Sequence, residues 1–227
     1  MRRLLLAFLA ALFLMPGAAM AQARDWTKVT SRTADGAFVQ GNPAAKVKLT
    51  EYLSLTCPHC AHFEAQGIAP LTAKYIRTGL VSYEVRHILF NSFDLTASAM
   101  ARCNGPAFFF AVTPVVFAQQ QQWVAQGVAW GKTAKMDGLT PEQALPKIAA
   151  GSGLHALFAK RGLPVTKANA CLMNRKEIEV LAGLAKDAQE VRGVTSTPTF
   201  AINGKIAEGV ADWAALEMQL KAAIAAK

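Results

Sequence analysis

The chain has 227 residues, 52% of them hydrophobic and 17% charged, with 24 Lys and Arg against 15 Asp and Glu. That apolar content excludes a disordered chain, the lack of a fixed period excludes collagen-like and repeat architectures, and the length supports a core without staples. The net charge of +9 raises a nucleic-acid or membrane-surface partner, yet basic residues adjoin only at Arg2-Arg3, Lys160-Arg161 and Arg175-Lys176, so no basic patch forms and no nucleic acid is expected.

Residues 1–23 carry Arg2 and Arg3, an apolar run from Leu4 to Leu14, the breakers Pro16 and Gly17, and Ala19, Ala21 and Ala23. This is the tripartite pattern of a secretory signal peptide, cut after Ala21 or Ala23. An apolar run of 11 residues is too short for a membrane anchor, which needs roughly 20. The mature chain then starts near Arg24 in an oxidising compartment, where disulfides persist. Its basic residues fall to 22 against 15 acidic ones, a net of +7.

Val47 to Leu55 alternates apolar and polar residues, as a strand does, and Cys57-Pro58 at once opens a helical pattern that stalls at Gly67 and Pro70. Leu80 to Ile88 alternates again, with Val81, Tyr83, Val85 and His87 on one face, completing a βαβ unit. From Phe93 to Met173 the pattern is helical, broken at Asn104-Gly105-Pro106, Gly131, Asp137-Gly138 and Gly151-Ser152-Gly153. Within it Pro106 to Ala118 reads as a buried helix, and Thr140-Pro141-Glu142-Gln143 as a capped start. Asn174 caps a further helix that Gly193 ends, and Thr199 to Glu208 forms a hairpin about Asn203-Gly204. A last helix carries Trp213, Leu216, Leu220 and Ile224. The expected segments are a core over 24–90, a helical insert over 91–184 and the rest of the core over 185–227.

Cys57-Pro58-His59-Cys60 stands where the first strand meets a helix. Unpaired N–H groups and the positive end of the macrodipole stabilise a thiolate at Cys57, Pro58 suits the first turn, and His59 adds a donor. Cys60, one turn on, is placed to close a small disulfide ring and resolve a mixed disulfide. A zinc half-site would need two more ligands, and Cys103 and Cys171 form no close second pair. Haem attachment needs His directly after the second cysteine, where Ala61 stands. Dithiol redox chemistry is the reading these residues favour; a copper site at Cys57, Cys60 and His62 is the alternative from another class. Glu51 falls on the more apolar strand face, where burial raises a carboxylate pKa, unless it lies at an edge and reaches water.

The motif Cys57-Pro58-His59-Cys60 after Glu51-Tyr52-Leu53-Ser54-Leu55-Thr56, with Thr197-Pro198-Thr199-Phe200 late in the chain, resembles the DsbA family of thioredoxin-fold oxidoreductases. The resemblance implies an α/β thioredoxin-like fold with an inserted all-helical domain, located in the periplasm. It implies that the Cys57–Cys60 disulfide passes to reduced exported polypeptides, with reoxidation by a quinone-linked DsbB-like membrane protein. By the same likeness Pro198 is a cis-proline against the cysteines, rather than an ordinary trans-proline at a strand start, and Glu51 relays a proton to Cys60. Pro58-His59 is the dipeptide of strongly oxidising members, whereas Thr197 before the proline is familiar in isomerases and reductases. The segment before the first core strand is too short for an isomerase's oligomerisation stalk, so a monomer is expected. Cys103 and Cys171 are expected to form a structural disulfide such as some members carry, the alternative being two buried thiols. No cofactor and no resident metal are expected. His87 reads as a hydrogen-bonded core histidine and His155 as a helix-surface residue.

Overall fold

The structure, a computed structural model, describes residues 24–210 and 212–226. The expected signal segment lies outside the described residues. After a short turn of helix at Trp26–Lys28 come β1 (Thr30–Arg32), β2 (Phe38–Gly41) and β3 (Val47–Leu53). The helix α1 (Pro58–Phe63) follows, continuing through wide turns at Glu64–Ile68 and Thr72–Ile76 on either side of α2 (Ala69–Leu71). Gly67 and Pro70 therefore widen the helix rather than stop it. Pro70 has no N–H to return to the preceding turn, and the chain absorbs that loss as π-type spacing.

After β4 (Val81–His87) the helical layer comprises α3 (Ser92–Arg102), α4 (Gly105–Ala118), α5 (Gln120–Gly131) and α6 (Pro141–Gly151). It goes on through α7 (Leu154–Ala159), α8 (Val165–Leu172) and α9 (Arg175–Lys186), and β5 (Thr199–Ile202), β6 (Lys205–Ile206) and α10 (Trp213–Ala225) close the chain. Several boundaries have local causes. The N–H of Thr140 donates to Gln143 Oε1 at 3.0 Å ahead of α6, Asn174 Oδ1 accepts from Glu177 N at α9, and Asp212 Oδ1 accepts from Ala215 N at α10. Asn203 and Gly204 have φ of 51° and 81°, the left-handed pair that a two-residue hairpin needs.

The sheet order is β1-β2-β4-β3-β5-β6, with β3 parallel to β4 and its other neighbour, β5, antiparallel. This is a thioredoxin-like α/β fold carrying a helical insert. The strands β1 and β2 lie between Arg24 and Lys46, where the sequence shows no periodic signal. They are three and four residues long, too short to show alternation, and their turn depends on Gly36 at φ 98°. β2 pairs antiparallel with β4 and extends the core sheet, with β1 beyond it as the edge.

One sheet face, with Leu49, Glu51, Leu53, Tyr83 and Val85, lies under α1 and α4, and the Phe63 ring meets Phe200 at 4.6 Å and Phe110 meets Tyr83 at 5.9 Å. The opposite face buries Tyr52 with Ile88, Ala188, Val194 and Ala201. Arg86, also buried there, binds Asp35, Glu84 and Asp187. Two histidine expectations are corrected. His87 is fully buried with no hydrogen-bond partner on either ring nitrogen, and it meets the Phe109 ring edge-on at 5.4 Å. Burial holds it neutral, its pKa well below the usual histidine value. His155 is half-buried, with Nε2 2.9 Å from Asn169 Oδ1.

Candidate active site

β3 ends at Leu53 and a tight turn, closed by Cys57 N donating to Ser54 O at 3.2 Å, delivers the chain to α1. Cys57 is the extended residue that caps α1 (φ −78°, ψ 121°), and Pro58 fills the first turn, where a missing N–H leaves no hydrogen bond unmade. The Cys57 carbonyl accepts the first helical bond, from Ala61 N at 3.2 Å. Pro58 and His59 face solvent, while Cys57 and Cys60 are buried, unbonded thiols.

The loop entering β5 approaches from the other side. Its Thr197–Pro198 bond is cis and sets the Thr197 carbonyl oxygen 3.3 Å from Cys57 Sγ, where it accepts from the sulfur when Cys57 is protonated. The two thiols differ sharply in acidity. A hydrogen bond from the Cys60 thiol, helped by the Thr197 side chain and the backbone N–H groups of Cys60 and His59, outweighs burial and draws Cys57 down to about 5. Cys60 moves far upward, because burial, its hydrogen bond to Cys57 and the Glu51 charge all disfavour a second anion. One sulfur is a thiolate at neutral pH and the other a thiol.

Beneath the pair lies an acidic cluster. Glu51 is 1% exposed, its Oε2 accepts from the Tyr83 hydroxyl, and burial raises its pKa to about 7 against the pull of that bond. Glu64, four residues after Cys60, is buried with Oε1 unpartnered, and desolvation together with the Glu51 charge raises it to about 8. Glu64 and Tyr83 line a cavity of about 390 Å³ that Gln40, Arg77 and Thr113 also border. Glu64 went unnoticed in the sequence, although its spacing from Cys60 puts both on one helix face.

Two further side chains of the helical layer grip the turn before Cys57. Asp94 Oδ1 accepts from Leu55 N at 3.0 Å, and its Oδ2 accepts from Ser54 Oγ and from Phe90 N. Gln120 Nε2 donates to the carbonyls of Leu55 and Cys57, each at 2.8 Å. Neither stood out in the sequence, where Asp94 reads as a helix-start acid and Gln120 as one of four consecutive glutamines. Away from the site, Cys103 and Cys171 form a disulfide with Cα atoms 5.6 Å apart, joining the end of α3 to α8. Among the described residues no three His, Cys, Asp or Glu side chains group to hold a metal, and His62 is exposed while Cys60 is buried.

Comparisons place this geometry among known proteins. A family model described as thioredoxin matches residues 33–222. The crystal structure of a protein-disulfide isomerase from Novosphingobium aromaticivorans is 30% identical, with TM-score 0.73, and the match covers 82% of this chain and 96% of that one. Wolbachia pipientis alpha-DsbA1 shares the fold at TM-score 0.66 and 22% identity, over 86% of this chain and 94% of that one. A Rickettsia bellii protein bearing the name "Putative protein-disulfide oxidoreductase" is 28% identical over 181 residues, 78% of this chain and 61% of that protein. The chain thus spans about three fifths of that curated relative. A redox pair opening α1, the Thr197–Pro198 loop across from it and the match over residues 33–222 agree: the chain belongs to the thioredoxin family.

Proposed function

We propose that the protein is a protein-disulfide oxidoreductase working as a dithiol oxidase on exported polypeptides in the periplasm. The observation that carries this reading is the unequal pair, a Cys57 thiolate stabilised at the start of α1 beside a Cys60 held as a thiol. Stabilising the thiolate stabilises the reduced form, which makes the disulfide the stronger oxidant. A substrate thiolate attacks Cys57 Sγ, a substrate–Cys57 bond forms, and the Cys57–Cys60 bond breaks with its electron pair leaving on Cys60. Cys60 then takes a proton, which Glu51 is placed to relay. A second substrate thiolate attacks the substrate sulfur, releasing Cys57 as thiolate and the substrate as a disulfide. The enzyme leaves this cycle with two more electrons, so an outside oxidant must remove them. A quinone-linked, DsbB-like membrane protein fits that task, and the cycle needs only a monomer.

A glutathione redox titration tests this reading, combined with oxidation of a reduced two-cysteine peptide by stoichiometric oxidised protein. The expected result is a potential well above that of thioredoxin, about −270 mV, and rapid peptide oxidation. A potential at or below that value overturns the oxidase reading. Isomerase activity is a second reading, favoured by the name of the Novosphingobium neighbour. Net reactivation of a scrambled disulfide protein without added oxidant would select it.

A further inference from the structure

We propose that Gln120 and Asp94 are positioning residues for Cys57, so that the seating of the helical insert on the core sets the acidity of the attacking sulfur. The inference rests on the thiol chemistry proposed above and deepens it. The turn from Ser54 to Cys57 runs without regular secondary structure between β3 and α1, and most of it is buried. Its polar groups need partners, because a buried, unpaired amide costs about 1–3 kcal/mol. Two side chains from the insert supply them. Asp94, in the first turn of α3, takes Leu55 N and the Ser54 hydroxyl, and with Phe90 N it ties this turn to the segment between β4 and α3. Gln120, the first residue of α5, holds the carbonyls of Leu55 and Cys57 with one amide nitrogen.

The Cys57 carbonyl is the critical contact. It belongs to the Cys57–Pro58 peptide, and the orientation of that peptide fixes how the first turn of α1 sits relative to Cys57 Sγ. The His59 and Cys60 N–H groups that favour the thiolate lie in that same turn. With Gln120 in place the carbonyl is shared between Ala61 N and the Gln120 amide, and both bonds constrain its direction. Without Gln120 the peptide keeps only the helical bond, Leu55 loses the side-chain donor to its carbonyl, and the N–H groups lose their aim. Neither Gln120 nor Asp94 touches a sulfur, so their effect reaches Cys57 through the backbone.

Gln120→Met tests this, since it keeps the length and volume of the side chain and removes the donor. The readouts are the pH midpoint of Cys57 alkylation by iodoacetamide and the Cys57–Cys60 potential, with a thermal melt recording the fold. The expected outcome is a cooperative melt with the midpoint raised by at least about half a unit, a roughly threefold loss of thiolate below the midpoint, and a lower potential. Gln120→His, which returns one ring N–H and so one of the two bonds, should restore part of the shift. A Met variant that melts earlier but keeps the wild-type midpoint and potential makes Gln120 merely structural and overturns the proposal. If the Met variant does not fold, Asp94→Asn carries the test, because it keeps shape and one acceptor while removing the second, and an unmoved midpoint there is equally fatal. Failure of the wild-type protein to oxidise peptide would sink the oxidase reading alone, since the midpoint is measured without any substrate.

Discussion

Cys57 and Cys60 are the same residue type three positions apart, and their surroundings drive them in opposite directions. Cys57 meets hydrogen-bond donors and is drawn to about 5, whereas Cys60 faces Glu51 and apolar neighbours. In the proposed cycle Cys57 therefore carries the mixed disulfide and Cys60 is the thiol that leaves. Replacing Cys60 with Ser and offering a disulfide such as oxidised glutathione should leave a stable Cys57-linked adduct, visible as a mass increase that a reductant removes, and Cys57→Ser should form none. Glu51 is raised to about 7 and can both give and take a proton near neutrality. Glu51→Gln should slow peptide oxidation on the order of tenfold and flatten its profile between pH 5 and 8. Unchanged rates across that range would remove the relay. The Glu51 environment was legible in the sequence, because strand alternation alone put it among Leu49 and Leu53. The Glu64 environment was not, because its burial depends on α4 closing over the helix.

At the level of elements, the parts with strong local signals were readable. Alternation marked β3 and β4, Asn203-Gly204 marked the hairpin of β5 and β6, and the Thr140 and Asn174 caps marked α6 and α9. The short strands β1 and β2 gave no such signal, and they are defined by pairing, β1 with β2 and β2 with β4. Asp94 and Gln120 were opaque for a related reason: each meets the turn before Cys57 from 39 to 65 positions away, so only the folded chain reveals it. The Cys103–Cys171 bond lies within the helical layer and closes a loop of 68 residues. Replacing both cysteines with Ala should cost about 2–4 kcal/mol in denaturant unfolding by the chain-entropy account. The Cys57 alkylation midpoint should stay where it is, since the bridge does not reach the turn before α1.

Across the whole molecule, proton linkage joins stability to redox state. Cys57 titrates near 5 in the folded reduced protein against an ordinary thiol value of 9.0, so between those limits the unfolded chain binds more protons and the reduced form gains stability as pH rises. The oxidised form lacks this contribution. Glu51 and Glu64 act in the opposite sense, because their raised values make the folded state the greater proton binder, and stability declines as pH climbs through about 7 and 8. His87, held neutral, removes stability only on acidification below its unfolded value of 6.5. Melts of both redox forms from pH 6.5 to 8.5 should show the reduced form pulling steadily ahead while the oxidised form weakens. In a Glu51→Gln, Glu64→Gln double variant the oxidised form should hold level. Parallel curves for the two redox forms would contradict the low Cys57 value.

The sheet order also fixes a timetable for folding. β3, which leads directly to the redox cysteines, stands between β4 and β5, and Glu51 pairs with Phe200 roughly 150 positions later. A chain emerging from its N-terminus can complete the β3–β4 side early, but one long edge of β3 stays open until almost the whole polypeptide has appeared. During that interval Cys57 has no Thr197 carbonyl beside it, and Cys103 has Cys57 and Cys60 within reach before Cys171 exists. The partner of Cys103 thus arrives only with α8 and the seal over β3 later still, and a product truncated before Thr199 would present an unsealed strand to its neighbours.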